Sequence, residues 1–255
     1  MSSETIDFKL TNIIPDEDNK KPSFVCISMF TNDEYVEQAK RLVGSLDALN
    51  LPYEVFPIES NGTWTLNAQK KPIIVREALN KYRRPIVWVD ADSEVLRYPE
   101  AIDDLIDTNC LMAYTISRCK KPSSQPNKLQ RGYRIKMNTA FMYFGYSDES
   151  LRLIDKWIEI NNIESSPTDG DQGNLHTMFY KGEYGCWYKS LGGNSLKVKE
   201  EYQSLFDSGK IRELPQIYCV IKNGHQYELD GIPLKGEPYT SQYQASRNNC
   251  ILPRI

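Results

Sequence analysis

Strand-like and helix-like segments alternate through the first half of the chain, and this alternation restricts the fold more than any other feature. Short apolar runs rich in β-formers occur four times, at 23–31, 53–58, 86–89 and 110–116. After the first run, apolar residues recur at helical spacing from Tyr35 to Leu49. Pro72 suits the first turn of a helix that runs to about Tyr82. We therefore predict an α/β fold with a mostly parallel sheet and helices on both faces.

Composition limits the class of protein. With 255 residues, 40% hydrophobic and 25% charged, the chain has room for one large α/β domain. A net charge of -3 argues against a nucleic-acid partner. We find no apolar run as long as a transmembrane segment and no signal-like start, and the six cysteines form no CxxC pair. We expect a cytoplasmic protein without disulfides or structural zinc.

The third apolar run, 86–89, ends abruptly in Asp90-Ala91-Asp92. Ligands of parallel α/β sheets bind at the carboxyl ends of the strands, where this triplet is predicted to lie. Two carboxylates one residue apart can hold one hard divalent cation, which keeps positions open for phosphate oxygens. Such a cation acts as a Lewis acid on a departing diphosphate. The alternative is a solvated strand end in which the aspartates serve as caps.

The segment 117–136 contains seven basic residues and no acidic one. Pro122, Pro126 and Gly132 indicate that it lacks regular structure. Two interpretations stay open, a solvated surface loop and a mobile basic lid near an anionic ligand.

Three motifs in order resemble the GT-A fold glycosyltransferases. They are "KPIIVREALNKYRRPIVWVDADSEVLRYPE" (71–100), "MNTAFMYFG" (137–145) and "DGDQGNLHTMF" (169–179), the last being close to a segment of glycogenin-like members. The resemblance implies a single GT-A, Rossmann-like domain over 22–255, with a mixed, mostly parallel sheet, preceded by a polar arm at 1–21. Its nucleotide-binding half would span about 22–116, and the half facing the donor sugar and acceptor about 137–255.

Carried over residue by residue, the resemblance also implies roles. Asp92 and Asp90 would bind Mn²⁺ or Mg²⁺, and Asp171 and Gln172 would act beneath the donor sugar, near the anomeric carbon. The implied donor-binding residues are Phe30, Thr31, Tyr35, Lys71, Asp90, Ala91, Asp92, Asn138, Thr139 and Arg247. For Lys71 an exposed position at a helix start is an equally good interpretation, and for Asp169 helix capping is favoured.

The third metal ligand is where the chain departs from the family, many of whose members supply a late histidine. Of the two histidines, His176 lies in an apolar stretch and is expected to be structural, whereas His225 follows Asn223-Gly224, which predicts a hairpin turn. The tail "TSQYQASRNN" (240–249) is similar to viral and bacterial endings that carry the ligand. In that alignment Gln242 takes the histidine's place, and Arg247 becomes a clamp for the diphosphate. Gln242 is preferred over His225.

The resemblance implies a metal-dependent glycosyltransferase that moves a sugar from a nucleoside-diphosphate sugar, UDP being favoured, to a hydroxyl of a glycan or another acceptor. The stereochemical outcome stays open. If the enzyme inverts, Asp171 is the first candidate for the general base. The alternative is a nucleotide-sugar or carbohydrate-binding module with a degenerate metal site.

Overall fold

The computed structural model describes residues 8–13, 23–31, 35–120, 133–162, 170–181, 187–188, 196–223, 226–229, 232–233 and 238–242. The helices are α1 (Val36–Ala48), α2 (Trp64–Ala68), α3 (Lys71–Tyr82), α4 (Ala101–Asp107), α5 (Asp148–Asn161), α6 (Gly170–Phe179) and α7 (Glu200–Asp207). The strands are β1 (Thr11–Asn12), β2 (Val25–Thr31), β3 (Tyr53–Ile58), β4 (Ile86–Val89), β5 (Ser93–Val95), β6 (Met112–Lys120), β7 (Tyr133–Phe144), β8 (Tyr180–Lys181), β9 (Trp187–Tyr188), β10 (Lys197–Val198), β11 (Ile211–Leu214), β12 (Val220–Asn223), β13 (Gln226–Leu229), β14 (Ile232–Pro233) and β15 (Thr240–Gln242).

A mixed sheet forms the centre of the fold. Its strands lie in the order β1-β3-β2-β4-β7-β6-β11, and β9 pairs with β7. Strands β3, β2, β4, β6 and β11 all run in one direction, because β7 lies antiparallel to both β4 and β6. The prediction of an α/β fold with a mixed, mostly parallel sheet is confirmed.

Helices cover both faces of this sheet, as predicted. The apolar stripe of α1, at Ala39, Leu42, Val43 and Leu46, packs with α4 against one face. Helices α3, α5 and α6 pack against the other face, around Trp88 and Trp157. Because both faces are covered, the central strand β4 is fully buried and its four residues are all apolar.

The predicted helices and strands of the first half are present, with one correction. Segment 117–136 was predicted to lack regular structure, but β6 runs on to Lys120 and β7 begins at Tyr133, with Lys120 paired opposite Tyr133. The prediction was wrong for 117–120 and 133–136, because proline, glycine and charge report local preference whereas a ladder forms by pairing with a distant strand. The residues between these ends lie outside the described part of the chain.

A shift of register interrupts the long β6–β7 pairing beside β4. Tyr114 is paired with Met142, but the next residue, Thr115, is paired with Asn138. Residues 139–141 therefore leave the β6 ladder, while Asp90 N–H still donates to Ala140 O at 2.9 Å. An irregularity of this kind re-aims backbone and side-chain groups next to the strand end that carries Asp90.

A second sheet, in the order β14-β13-β12-β15-β5, joins the end of the described chain to the segment after Asp92. Strand β15 lies antiparallel to β5, with Gln242 opposite Ser93 and Thr240 opposite Val95. Strands β12 and β13 pair with Asn223 opposite Gln226, in agreement with the predicted hairpin. Part of the predicted polar arm also joins a sheet, since β1 pairs with β3 and Phe8 and Leu10 pack on the core.

Within the described ranges, no helix has the length and apolar character needed to cross a membrane.

Candidate active site

The Asp90-Ala91-Asp92 triplet lies in a tight turn directly after β4. Ser93 N–H donates to Asp90 O at 3.0 Å, which closes the turn, and Asp92 is only 8% exposed. Trp88 Nε1–H donates to Asp90 Oδ1 at 2.7 Å. Residues two apart on a strand share a face, so the last aromatic residue of β4 orients the first aspartate after it.

Lys71, at the start of α3, connects the segments that carry the sequence motifs. Its Nζ lies 2.6 Å from Asp171 Oδ2 and 3.0 Å from Asp90 Oδ1. It also donates to Thr139 O at 2.9 Å and to Thr139 Oγ1 at 3.0 Å. Lys71 is 3% exposed, so the interpretation of this residue as an exposed surface lysine is wrong.

The pKa of the Lys71 ammonium follows from these contacts. Burial alone would lower its pKa, but the carboxylates of Asp171 and Asp90 outweigh burial and hold the pKa above its usual value. The side chain therefore stays charged. Its single positive charge faces two aspartates, which leaves the buried group with net negative charge.

Asp171 lies in the first turn of α6 and is 2% exposed. Thr139 Oγ1–H donates to its Oδ2 at 2.6 Å, so Oδ2 receives both a hydroxyl and the Lys71 ammonium. Trp157 Nε1–H donates to the Asp171 carbonyl at 3.2 Å, fixing the backbone at this end of α6. A carboxylate at a helix N-terminus is further stabilised by the helix dipole.

Asn138, on β7, is held by contacts at both ends of its amide group. Its Oδ1 accepts from Ala140 N–H at 2.8 Å, and its Nδ2 donates to Cys219 Sγ at 3.2 Å. Burial, and then the charges of Asp90 and Asp92, raise the pKa of the Cys219 thiol well above its usual range. Cys219 is therefore a neutral thiol, which can accept the amide hydrogen and fix the orientation of Asn138.

Of the three residues predicted to bind the metal ion or the diphosphate from the C-terminal region, only Gln242 lies within the described residues. The backbone of Gln242 lies opposite Ser93, the residue that follows Asp92. His225 and Arg247 lie outside the described residues, as does Asp169. His176, expected to be structural, is buried in α6 with its ring 5.3 Å from that of Tyr180.

The group fits a hard divalent cation in its chemistry. Asp90 and Asp92 offer carboxylate oxygens, the ligand type that Mg²⁺ and Mn²⁺ prefer. In the β5–β15 pair that follows Asp92, the buried hydroxyls of Ser93, Thr240 and Ser241 find no hydrogen-bond partner in the described ranges. Among those residues no three His, Cys, Asp or Glu side chains cluster closely enough to bind a metal ion.

The structure also places the remaining predicted site residues that lie in its described ranges. Phe30 and Thr31 are buried at the carboxyl end of β2, the strand beside β4, and Tyr35 is at the N-cap of α1. Ala91 is buried in the turn, and Gln172 is half-buried on α6.

Sequence reasoning missed three residues that hold the site together, namely Trp88, Trp157 and Cys219. The spacing of Trp88 and Asp90 on one strand face was a usable signal. Trp157 and Cys219 offered none, because each contacts a partner on a different element, and only the packing of these elements brings the two residues together.

Comparison with protein-family models finds no match, and no curated protein matches the sequence. Solved structures do match. A glycosyltransferase involved in the glycosylation of the major capsid of PBCV-1 is 14% identical over 62% of this chain and 76% of its own, with a TM-score of 0.44. Mouse xyloside xylosyltransferase 1 is 10% identical over 88% and 98%, with a TM-score of 0.43. The bifunctional glycosyltransferase WbbM is 11% identical over 89% of this chain but 47% of its own, with a TM-score of 0.46.

This chain therefore spans about half the length of WbbM. At these identities and TM-scores the likeness says nothing of activity or substrate. All three matched proteins are glycosyltransferases, the class that the sequence motifs resemble.

Proposed function

We propose that this protein is a metal-dependent glycosyltransferase that moves a sugar from a nucleoside-diphosphate sugar, with UDP as the nucleotide, to a hydroxyl of an acceptor. One observation carries the proposal. Lys71 contacts Asp90, Thr139 and Asp171, which belong to three motifs distant in sequence. Their meeting at the carboxyl end of the central strand β4 is what a common site at this edge of the sheet requires.

Asp92 and Asp90 are the residues that would hold the cation, with Gln242 as the third ligand. The cation would neutralise negative charge on the leaving diphosphate. The register of Gln242 opposite Ser93 supports its assignment. An amide oxygen is uncharged, so we expect weaker metal binding than a third carboxylate would provide.

Asp171 and Asn138 would orient the donor sugar through its hydroxyls. Both are fixed by several hydrogen bonds, and a reactant held in one geometry needs less ordering to reach the transition state. Asp171 Oδ2 already receives Lys71 and Thr139, which supports an orienting role for this carboxylate. Gln172, the next residue on α6, would lie beside the anomeric carbon.

Ligand-induced thermal stabilisation tests the donor claim. We expect UDP and UDP-sugars to raise the melting temperature with Mn²⁺ present and much less without it, because a bound ligand stabilises the folded state by an amount that grows with the logarithm of its excess over the dissociation constant. ADP and GDP serve as comparison nucleotides. If no nucleotide shifts the melting temperature in Mn²⁺, the proposal fails.

Asp92→Ala should abolish the Mn²⁺-dependent part of this shift. Asp107→Ala, at an exposed position on α4, is the matched control and should leave it intact. Unchanged metal-dependent binding in Asp92→Ala would rule out the metal role of this residue.

Turnover separates the enzyme from the binding module. A transferase should release UDP slowly from a UDP-sugar even without acceptor, with water taking the acceptor's place. A protein that binds the UDP-sugar but never releases UDP, with or without a glycan mixture, would be the binding module.

A further inference from the structure

Helix α2 presents two large apolar side chains to solvent. Trp64 is 44% exposed and Leu66 is 45% exposed, and none of the five residues of α2 is buried. Ile73, on the first turns of α3, is 41% exposed as well. An exposed apolar side chain beside a binding site can form part of the surface that contacts a ligand.

The Trp64 ring lies against the residue that precedes Asp171. A Cβ placed on Gly170 would come within 3.4 Å of Trp64 Cζ3 and 3.7 Å of Cη2, so the indole packs on the bare backbone there. Gly170 has φ +65, a conformation that disfavours other residues. The indole therefore contacts the residue that directly precedes Asp171, whose carboxylate is bound by Lys71.

Hydrogen bonds hold this surface in place although it is exposed. The Thr63 hydroxyl caps α2 by accepting from Leu66 N–H at 3.2 Å. After the helix, Gln69 O accepts from Asn161 Nδ2 at 3.0 Å, and Asn161 Oδ1 accepts from Asn174 Nδ2 at 2.7 Å. Helix α2 is therefore tied to α5 and α6, the helix that carries Asp171.

We propose that Trp64 is the platform on which the acceptor saccharide stacks. An indole offers a flat apolar face and one polar N–H, which suits a sugar ring with an apolar C–H face and a polar rim. Its position beside Gly170-Asp171 would place the acceptor next to the donor sugar. The assignment of the ligand as the acceptor rests on the proposed function.

A protein partner fits this surface less well. Stable protein interfaces bury about 800 Å² on each partner through roughly 20 to 30 residues. Trp64, Leu66 and Ile73 are only three side chains, which is the scale of one or two sugar rings.

A glycan array tests the proposal, probed with the full chain in the presence of UDP and Mn²⁺. We expect wild-type protein to bind at least one saccharide, Trp64→Ala to weaken that binding at least tenfold, and Trp64→Phe to retain most of it. Tyr146→Ala is the matched control, because Tyr146 is similarly exposed, at 41%, but follows the end of β7 away from Asn138. In NMR spectra, the indole N–H signal of Trp64 is the one that is missing from Trp64→Phe. We expect this signal to shift in wild-type protein when the saccharide found on the array is added.

No saccharide binding by wild-type protein, or equal binding by Trp64→Ala, would overturn the proposal. The thermal shift with UDP and Mn²⁺ is measured on the same variants and should not change in Trp64→Ala. If UDP and Mn²⁺ cause no thermal shift in wild-type protein, that result counts against the donor claim. Saccharide binding that depends on Trp64 would still support Trp64 as the stacking platform.

Discussion

At the scale of single residues, Lys71 decides how the site is built. A buried ammonium is costly unless it is paired, and here Asp90, Asp171 and two oxygens of Thr139 surround it. Without Lys71, the buried carboxylate of Asp171 and the partly buried one of Asp90 would have no compensating charge between them. The same ion pairs that stabilise the fold therefore hold Asp90 and Asp171 in one orientation.

Lys71→Met should lower the free energy of unfolding by about 3 to 5 kcal/mol, because it leaves buried charges unpaired. Urea denaturation gives the value. Lys81→Met, which removes a half-exposed lysine paired with Glu54, should cost no more than about 1 kcal/mol.

Adding Asp171→Asn to Lys71→Met should recover part of the loss, since it removes one of the unpaired charges. A cost for Lys71→Met as small as that for Lys81→Met would show that the buried pairs do not stabilise the protein.

Tyr218 gives a prediction about pH. Burial, and to a lesser extent the hydrogen bond with Tyr239, raise the pKa of Tyr218 to about 12. The pKa of a tyrosine in an unfolded chain is about 10. The neutral phenol is the form that the fold favours, so its contribution is complete below pH ~10 and is lost as the pH rises toward 12. In Tyr218→Phe the free energy of unfolding should fall less steeply over this window, measured by urea denaturation at several pH values. Equal slopes in the two proteins would contradict the assignment.

The sequence allowed Asp90, Asp92 and Asp171 to be chosen, because ordered motifs and a strand end are local signals. It did not predict that Lys71 would be buried, since lysine is among the residues least often buried and only the fold supplies its partners. Nor could it connect Asn138 with Cys219, which are 81 residues apart in sequence.

At the scale of elements, the placement of β15 beside β5 decides whether Gln242 can serve the site. An aromatic stack holds the start of β15. The Tyr239 ring lies between Arg97, at 3.7 Å, and Tyr218, at 4.2 Å, and its hydroxyl donates to Glu100 Oε2 at 2.6 Å. Leu96 N–H donates to Tyr239 O at 2.9 Å, which continues the β5–β15 ladder.

Tyr239→Leu should raise the Mn²⁺ concentration needed for half-maximal stabilisation by UDP, by roughly tenfold, because the stack no longer fixes β15 beside Asp92. A tenfold change corresponds to about 1.4 kcal/mol, within the range of an aromatic contact. Tyr239→Phe keeps the stack and should change the midpoint little.

Tyr82→Leu is the matched control. Tyr82 also donates to a carboxylate, Glu54, and has a lysine 5.1 Å from its ring, but it lies at the end of α3 away from Lys71. An equal rise of the Mn²⁺ midpoint in Tyr82→Leu would mean that general destabilisation, and not the position of β15, sets metal binding.

Elements with a clear local signal in the sequence were predicted well, namely α1 and α3 and the strands β2, β3 and β4. The short strands of the second half were not, because β11 and β15 have four and three residues and depend on partners far earlier in the chain. The continuation of β6 and β7 into 117–136 was missed for the same reason.

At the scale of the whole molecule, charge is unevenly distributed along the chain. Segment 117–136 contains seven of the 31 basic residues and none of the 34 acidic ones, so the remainder has 24 basic against 34 acidic residues. The two described ends of this segment continue the strand pair that includes Asn138. An uneven distribution of charge of this kind creates a local field that a net charge of -3 does not reveal.

At pH 7 and low salt the protein should bind a cation exchanger although its sequence pI is about 5.6. Replacing Arg118, Lys120, Arg134 and Lys136 by serine should abolish retention and leave binding to an anion exchanger intact. If the wild type elutes from the cation exchanger at the same salt concentration as the variant or a lower one, the basic residues of 117–136 do not act as a positively charged surface.

The pairing of β15 with β5 also has a consequence in time. Gln242 pairs with a residue about 150 positions earlier, next to Asp92. At synthesis rates of ~5–20 residues per second, the first aspartates leave the ribosome roughly 8 to 30 s before their partner strand is made. The proposed cation site could then form only after residue 242 is made, so for this interval a nascent chain would carry Asp90 and Asp92 without their partner strand.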